Sequence, residues 1–498
     1  MKKRLLIFGF IFLIIFVYLF IFINNNKVIF NVSSIDSNIY LDNMDVDWDS
    51  LDVFDISLND NVLNINSEGI YIISGKSNNG GIVVNSYGNV KLILDNIDIN
   101  NDNDAVIMIE NAKNIIIELV DGSDNVLVCN GRNDTSKYDG CIYSKDDLIL
   151  LGNGILRVNS NYLDGIGVKD NLNIESGTYI INSNGDGIHC KDSVNIVDGN
   201  FNINSVEDGI YADAKLIINN GVFNIKTSDG SGINETEKDR YYNGRMNDDV
   251  ISAKAIKSRN NLIIFNGDFL IDSKGDSIHS NGSVGIVDGV FNIKSGDDAI
   301  HADKDIVIDG GKINIIKAFE GIEASNVTIN NGDFNIVVSD DGINTSGNRD
   351  LFKIKNLLLG YGSIIINDGN FYINSFGDGF DSNGSIVVNG GSIYIDGPIE
   401  IGNGAFDYEL FFGINGGEFI GVSSFCGYMN VSEDSKNDYV LINLPKIYEG
   451  KITLKDEDNN TIIEYNPSKE YQSVVVSNDK IDKNKIYSVY VDGNKVYG

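Results

Sequence analysis

The sequence predicts an all-β fold: a parallel β-helix with three short strands in each coil of about 22 residues and a β cap at either end. Three observations support this prediction. A D-G-I tripeptide recurs in steps of 22 residues, a Gly-x-aromatic or Gly-x-Ile marker recurs in phase with it, and no helical stretch separates the strand patterns. A period of roughly 20–50 residues indicates a solenoid, in which each repeat packs on its neighbours.

Each coil contains three alternating segments. In the unit 186–207, apolar side chains alternate with polar ones at Ile188 and Cys190, and the pattern returns at Val194 and again at Phe201. Alternation with a period of two predicts strands, and the Gly, Asn and Asp clusters between them predict turns. Stacked coils should therefore align the apolar residues into buried ladders. The D-G-I positions and their variants begin at Asp164, Asp186, Asp208, Asp276, Asp298, Glu320, Asp341 and Asp378.

Composition narrows the class of partner. The 498 residues include 38 basic and 71 acidic side chains, a net charge of −33. Such a charge repels phosphate backbones and anionic lipid, which excludes nucleic-acid binding as the main role and favours cations. Four cysteines form no disulfide framework. Cys129 and Cys141 are close enough in sequence to pair, but the repeat favours small core residues at Cys141 and Cys190.

The N-terminus predicts a membrane signal. Residues 1–4 are a basic cytoplasmic tip, and residues 5–23 form an uncharged apolar run long enough to cross about 30 Å of hydrocarbon as a helix. Basic residues before the run place the remainder outside the membrane. We expect an uncleaved, single-pass anchor. The alternative is cleavage near residues 32–34, which would release a secreted protein.

The rest of the chain divides into three parts. Residues 24–130 are strand-rich with looser spacing and predict an N-terminal cap and the first coils. Residues 131–430 carry the β-helix repeats, and 431–498 lose the period and predict a small antiparallel β cap. Insertions at 234–250 and 345–360 predict loops beside the repeats. The first contains Tyr241, Tyr242 and Arg245, which suit either sugar stacking or packing on the helix.

The repeated acidic residues predict a metal site. Coils stack about 4.8 Å apart, so carboxylates repeated in every coil form a column whose members repel one another. Ca²⁺ relieves such repulsion because it takes about six to eight oxygen ligands. The alternative is that each Asp caps its own turn. The candidate metal ligands are Asp186, Asp208, Asp276, Asp297, Asp298, Glu320, Glu323, Asp340, Asp341 and Asp378.

Histidine and lysine positions predict ligand contacts beside this column. All three histidines of the chain follow the ladder Ile of their coils, and alternation places them on the outer surface. We expect them to hydrogen-bond or stack against sugar. The spacing of Cys and His resembles no zinc site. The candidate carbohydrate-binding residues are His189, Lys191, Tyr211, Lys254, Lys257, His279 and His301. The lysines either contact a carboxylate of the ligand or pair with neighbouring Asp.

A succession of motifs resembles a known family. The segments "SAKAIKS" (252–258), "GDSIHSNGSVGIVDG" (275–289), "GDDAIHADKDIVIDGG" (296–311) and "FEGIEASNVTINNGDF" (319–334) are similar to the carbohydrate-binding β-helix proteins of clostridia. The resemblance extends to motifs between residues 48 and 154 and to residues 450–493, so it covers the whole ectodomain. It implies a right-handed β-helix similar to polysaccharide lyases, bound Ca²⁺, and binding of cellulose and acidic, pectin-type polysaccharides.

We therefore expect a non-catalytic, membrane-anchored extracellular protein that binds plant cell-wall polysaccharide with the help of Ca²⁺. Two alternatives stay open. One is a calcium-dependent polysaccharide lyase in which Lys254, Lys257 or Lys191 removes a proton next to a uronate carboxylate. The other is a surface adhesin or stalk that has no sugar site.

Overall fold

The computed structural model describes residues 31–36, 46–131, 137–232, 252–347, 362–400, 402–424 and 430–498. Strands make up 56% of it and helix about 1%, and the strands wind into a solenoid of about 15 turns. Strands from equivalent positions of successive coils pair in parallel. The predicted parallel β-helix is therefore confirmed.

The first of three ladders of parallel strands follows the D-G-I turns. Ile188 pairs with Ile210 of the next coil, and His189 pairs with Tyr211. The isoleucines are fully buried, whereas the alternate residues face away from the core. The first ladder contains Leu63–Ile65, Ile82–Asn85, Ile107–Asn111, Gly140–Ser144, Asp164–Val168, Ile188–Cys190, Ile210–Ala212, Ile256–Ser258, Ile278–Ser280, the beginnings of Ile300–Ile308 and Ile322–Ile329, Ile343–Thr345, Phe380–Ser382 and Phe406–Tyr408.

The second and third ladders complete each coil. The second contains Val53–Ser57, the beginnings of Gly69–Ser77 and Asn89–Asn101, Asn114–Leu119, Leu148–Gly152, Leu172–Ile174, Val194–Ile196, Leu216–Ile218, Leu262–Ile264, Val284–Ile286, the ends of Ile300–Ile308 and Ile322–Ile329, Ser363–Ile366, Ser385–Val388 and Phe411–Ile414. The third contains the ends of Gly69–Ser77 and Asn89–Asn101, then Asp124–Cys129, Ile155–Ser160, Thr178–Ser183, Asn200–Ser205, Val222–Thr227, Asp268–Ser273, Val290–Ser295, Lys312–Lys317, Asp333–Val338, Asn370–Ser375, Ser392–Asp396 and Glu418–Ser423.

Stacked aromatic rings fill the core beside the third ladder. The rings of Phe201, Phe223, Phe269 and Phe291 stack with centroids 4.6–4.8 Å apart and nearly parallel planes. The Gly of the recurring Gly-x-Phe marker permits this packing. At Gly267, φ is +140°, and an added Cβ would lie 2.9 Å from Phe269 Cε2. The Gly of the marker is therefore needed for two reasons: it adopts the positive φ of the turn, and it leaves space for the aromatic ring.

Asparagine side chains also stack from coil to coil. Asn195 Nδ2 donates to Asn173 Oδ1 (2.7 Å), and Asn219 Nδ2 donates to Asn195 Oδ1 (3.0 Å). The amides of Asn389 and Asn415 continue the same arrangement farther along the helix. Each amide both donates and accepts, so identical residues satisfy one another along the axis. Cys129, Cys141 and Cys190 are free and buried, as the core interpretation of Cys141 and Cys190 predicts.

A short N-terminal segment, residues 31–36, packs on the outside of the second ladder. We call it the strap. It contains the 3₁₀ turn Val32–Ser34. Val32 and Ile35 are buried against Ile263 and Val307, and the Val32 amide donates to Asp309 Oδ2 at 3.0 Å. The other described 3₁₀ turn is Trp48–Ser50, just before the first coil.

Antiparallel strands cover the last coil. Tyr471–Ser477 pairs with Glu418–Ser423 of the third ladder and with Tyr439–Tyr448. A separate antiparallel sheet follows, in the order Thr461–Tyr465, Ile452–Asp456, Tyr487–Val491 and Asn494–Tyr497. These strands satisfy backbone groups that an open coil end would leave unpaired.

Candidate functional site

The recurring acidic positions form one column along the edge of the first ladder. Lys254 occupies the place between Asp208 and Asp276, because Gly209 N–H donates to the Lys254 carbonyl and Ala255 N–H donates to the Asp276 carbonyl. Acidic residues continue the column from Asp276 onward. In order, the column contains Asp164, Asp186, Asp208, Lys254, Asp276, Asp298, Glu320, Asp341 and Asp378.

Most of these aspartates cap the next coil. Asp164 Oδ1 accepts the Asp186 amide proton at 2.9 Å, and Asp186 Oδ1 accepts the Asp208 amide proton at 2.8 Å. The same bond joins Asp208 to Lys254 at 2.8 Å. The alternative that each Asp caps its own turn is corrected here, because the accepted proton comes from the following coil. One carboxylate oxygen of each of these residues thus stabilises the stacking of coils, and the second oxygen can contact other side chains.

A second column runs parallel to the first, three residues later in each coil. It brings together the three predicted histidines with Lys257 and Tyr211. Ring centroids of His279 and His301 lie 4.9 Å apart, and those of His189 and Tyr211 lie 4.5 Å apart. In order, the column contains His189, Tyr211, Lys257, His279, His301, Glu323, Asn344, Asp381 and Asp407.

The histidines lie on the outer side of the strands but are more enclosed than alternation predicts. Their side chains are 13%, 9% and 20% exposed for His189, His279 and His301. The cause is the adjacent column, since a carboxylate flanks each imidazole within 3.2 Å. His279 and His301 are hydrogen-bonded to acidic groups, and His189 lies in contact with one, which the sequence analysis did not predict.

A basic row crosses both columns in the middle of the face. It consists of Lys254, Lys257 and Arg259. Lys254 forms an ion pair with Asp276, and Lys257 Nζ lies 2.7 Å from Asp208 Oδ2. The carboxylates on either side of the row are thereby neutralised, so the predicted unpaired repulsion does not apply to Asp208 or Asp276.

A pocket of about 330 Å³ opens on one side of this row. His279 Nδ1 lies 2.7 Å from Asp276 Oδ2, and His301 Nδ1 lies 3.1 Å from Asp298 Oδ2 and 2.8 Å from Glu323 Oε2. The pocket is lined by Lys254, Asp276, His279, Asp297, Asp298, His301, Phe319, Glu320 and Glu323.

Charges in the pocket shift one another's pKa values. Burial opposes protonation of His301, but hydrogen bonds with Asp298 and Glu323 raise its pKa to about 11. Burial, together with the charges of Asp276 and Glu323, raises the pKa of Asp298 to about 7. Burial lowers the pKa of His279. Their surroundings therefore shift the pKa values of the two stacked imidazoles in opposite directions.

Beyond the pocket, both columns become acidic. We call Glu320, Asp341, Asp378 and Asp381 the acidic end. Burial and the charges of Asp340 and Asp378 raise the pKa of Asp341 to about 9. Burial likewise raises the pKa of Asp378 to about 7 and of Asp381 to about 6, and the pKa of Glu320 also rises through burial and the charge of Asp298.

Within the described chain, no Lys, Arg or His side chain forms an ion pair with any member of the acidic end. Repulsion there is relieved by protons or by a bound cation.

The basic row separates the predicted site residues into two groups. Asp186, Asp208, His189, Lys191 and Tyr211 lie on the side of the earlier coils. Lys191 Nζ lies there 3.4 Å from Asp213 and 3.2 Å from His189 Nε2. The group on the side of the later coils contains Asp276, Asp297, Asp298, Glu320, Glu323, Asp340, Asp341, Asp378, His279 and His301.

Sequence analysis missed several residues of this face. Asp381 follows Asp378 by the same three residues that separate His189 from Asp186, so the spacing would have identified it. Arg259, 3.3 Å from Asp213 Oδ1, follows Lys257 by two residues and belongs to the same outward-facing set.

Several predicted features lie outside the described residues. These are the apolar run 5–23 and the loop residues Tyr241, Tyr242 and Arg245, together with most of the insertion 345–360. Among the residues that the structure describes, no helix is both long and apolar enough to span a membrane.

Comparison with known proteins supports the resemblance seen in the motifs. The family described as "Carbohydrate-binding domain-containing protein" matches residues 59–213, 194–299 and 298–401. A curated relative from Acetivibrio thermocellus with the same description is 34% identical over 160 residues, which cover 31% of this chain and 55% of the relative. The match thus spans about half of that relative's length.

A solved polysaccharide lyase-like protein from C. thermocellum, determined as a gadolinium derivative, is 20% identical. The alignment covers 73% of this chain and 95% of that protein, with a TM-score of 0.23.

Proposed function

The chain belongs to the carbohydrate-binding domain-containing protein family, and from this premise we propose that it binds an acidic polysaccharide on the outer face of the first ladder. The observation that carries the proposal is the basic row, Lys254, Lys257 and Arg259, set in a face whose other charged groups are mainly carboxylates. Three adjacent cations give a uronate-containing chain a place to bind on a protein whose net charge is −33.

The basic row is held in position before a ligand arrives. Lys257 Nζ contacts Asp208 and lies 4.1 Å from the centre of the Tyr211 ring. The Arg259 guanidinium lies 5.6 Å from the same ring and is 58% exposed. Ordered cations lose little side-chain entropy on binding, and an arginine fork pairs with a carboxylate through two parallel hydrogen bonds. Arg259 is accordingly the first contact for a ligand carboxylate.

Calcium is the second part of the proposal. The acidic end offers only oxygen donors, which suits Ca²⁺, and its carboxyl pKa values are raised by burial and mutual repulsion. Glu320, Asp341, Asp378 and Asp381 would hold the ion, which supplies positive charge that relieves this repulsion. Carboxylates of the polysaccharide then add oxygens to a site that the protein only partly fills.

The proposed activity is binding without catalysis. A lysine that removes a proton from a sugar must itself be neutral. Lys254 and Lys257 are held in ion pairs with Asp276 and Asp208, and Lys191 lies 3.4 Å from Asp213. Each of the three candidates for a lyase base is thus already paired with a carboxylate of the protein. We further propose that residues 5–23 anchor the protein, with the β-helix outside the cell facing plant cell-wall polysaccharide such as pectin or cellulose.

The test is retention of the full chain, in mild detergent, on immobilised polygalacturonate and on cellulose, with Ca²⁺ and then with excess chelator. We expect calcium-dependent retention on polygalacturonate. The double variant Lys257→Met, Arg259→Met should lose at least tenfold in affinity for this polymer, an effect on the order of that expected from the loss of one buried charge pair. Lys226→Met, on the third ladder, is the control for a lost charge. Equal retention of both variants would refute the basic row as the site.

The alternatives predict different results in the same experiment. Release of unsaturated uronide, seen as ultraviolet absorbance, would indicate a lyase. Absence of retention on either polymer would favour a structural stalk, and unchanged retention in chelator would remove Ca²⁺ from the mechanism.

A further inference from the structure

The pocket beside the basic row contains nitrogen donors as well as oxygen donors. Three groups of side chains in this pocket bring their donor atoms within 4.8 Å of one another, and two of them include histidine: Asp276, His279 and His301 form one, and Asp298, His301 and Glu323 form the other. His301 belongs to both groups. An ion bound to His301 would therefore have two carboxylates on one side and the stacked His279 ring on the other.

We propose that this pocket is a transition-metal site, distinct from the calcium-binding acidic end, in which His301, Asp298 and Glu323 bind a Zn²⁺-type dication and His279 completes the ligand set. The inference concerns the protein's own residues and does not rest on polysaccharide binding. Imidazole nitrogen is a preferred ligand of Zn²⁺, Ni²⁺ and Cu²⁺, whereas Ca²⁺ takes oxygen ligands. The two histidines therefore set the metal class of this pocket apart from that of the acidic end.

The distances suit a small ion. In a tetrahedral zinc site, bonds of about 2.0–2.2 Å place neighbouring donor atoms roughly 3.3–3.5 Å apart. Here His301 Nδ1 lies 3.1 Å from Asp298 Oδ2 and 2.8 Å from Glu323 Oε2. These are hydrogen-bond distances, so a proton now occupies the place between donors that a metal would take. A separation of a few tenths of an ångström would admit the ion.

The other nitrogen of His301 has the partner that a metal-bound imidazole needs. His301 Nε2 lies 3.4 Å from Asp303 Oδ1. A carboxylate at the second nitrogen fixes the tautomer and makes the first nitrogen a better ligand. His189 forms a similar group with Asp164 and Asp186, and its Nε2 lies 3.7 Å from Asp213 Oδ1. It differs because Lys191 Nζ lies 3.2 Å from that Nε2, where its charge opposes a cation, and because its stacking neighbour is Tyr211 and not a second histidine.

The charge of Lys254 also indicates where in the pocket the ion lies. Lys254 forms an ion pair with Asp276 on the earlier coil, and its charge disfavours a cation there. Asp298 and Glu323 lie farther from the basic row. The ion is thus expected on the side of Asp298 and Glu323, away from Lys254.

The experiment is titration of the full chain with Zn²⁺ alone, and with Co²⁺ as a spectroscopic probe, in buffer containing millimolar Ca²⁺. We expect one tightly bound zinc that calcium does not displace. His301→Asn should weaken Zn²⁺ binding by more than about 100-fold, and Asp303→Asn, which removes the outer partner, by about tenfold. His189→Asn is the matched control and should leave zinc binding unchanged.

X-ray absorption of the zinc-loaded natural protein gives a test that does not depend on any variant folding. Imidazole scattering around zinc is expected. An all-oxygen shell would overturn the proposal, as would loss of zinc binding in His189→Asn with retention in His301→Asn. Displacement of zinc by calcium would equally overturn it, because the pocket would then be part of the calcium site.

Discussion

Asp341 gives the sharpest test of the electrostatics of this face. Its carboxyl group is 9% exposed, and its pKa rises from 3.8 to about 9 through burial and the charges of Asp340 and Asp378. The folded protein therefore holds this proton more tightly than the unfolded chain does. Its stabilising effect is complete below pH 3.8 and is lost as the pH rises toward 9.

The substitution Asp341→Asn removes the charge and keeps the shape. Asn retains an Oδ1 that accepts the Asp378 amide proton, a bond of 2.6 Å in this structure. Each pH unit between 3.8 and the folded pKa costs about 1.4 kcal/mol, which sets an upper limit of about 6 kcal/mol at pH 8. Asp378 and Asp381 compete for the same protons, so we expect the variant to gain about 2–3 kcal/mol at pH 8 in chelator.

Calcium should reverse the sign of this effect. With saturating Ca²⁺, the variant lacks a ligand and should be less stable than the natural protein, because binding to the folded state alone adds stability. The assay is denaturant unfolding at pH 5 and pH 8, in chelator and in Ca²⁺. Glu457→Gln, an exposed carboxylate in the turn after Ile452–Asp456, is the control.

Two outcomes would refute parts of this reasoning. If Asp341→Asn is less stable than the natural protein in chelator at pH 8, the carboxylate is not repelled by its neighbours. If the variant is more stable in both media, the electrostatic argument holds but Asp341 is not a calcium ligand. A gain that persists undiminished at pH 5 would point to a cause other than charge.

Two further predictions concern the fold. Phe269→Ala should lower the free energy of unfolding by about 4–5 kcal/mol, because the ring stacks on Phe223 and Phe291. The control is Phe265→Ala on the same coil, where the side chain is 39% exposed and the loss should be less than about 1.5 kcal/mol; equal losses in urea unfolding would contradict the stacking. Gly285→Val should release the strap, since an added Cβ would lie 2.6 Å from Val32 Cγ1. Faster amide hydrogen exchange in residues 32–35 would show this release, whereas unchanged exchange would mean that other contacts hold the strap.

Local repetition made most of the fold predictable. The buried ladder through Ile188 and Ile210 follows from alternation and a step of 22 residues, because parallel coils must align residues of equal phase. The same alternation predicted that the three histidines lie on the outer side of the first ladder. Within the described residues, it did not predict their enclosure, because this depends on carboxylates of a neighbouring column.

The composition of the site was less predictable because the insertion 234–250 interrupts the 22-residue repeat. Lys254 lies 46 residues after Asp208 in sequence but one coil away in space. The sequence left open whether Lys254 and Lys257 contact a ligand carboxylate or pair with neighbouring Asp, and only the stacked coils show their pairs with Asp276 and Asp208. The division of the acidic column into a neutralised part and an acidic end was therefore decided by tertiary structure.

Sequence alone determined the class of fold, the solenoid period, the acidic character and the family resemblance, since all four are expressed in residues a few positions apart. Tertiary structure decided which charges meet. The pairing of Lys257 with Asp208 and the contact of the strap with Asp309 join residues 49 and 277 positions apart. No local pattern encodes such contacts, because their energy arises only when coils stack and exclude water from the groups between them.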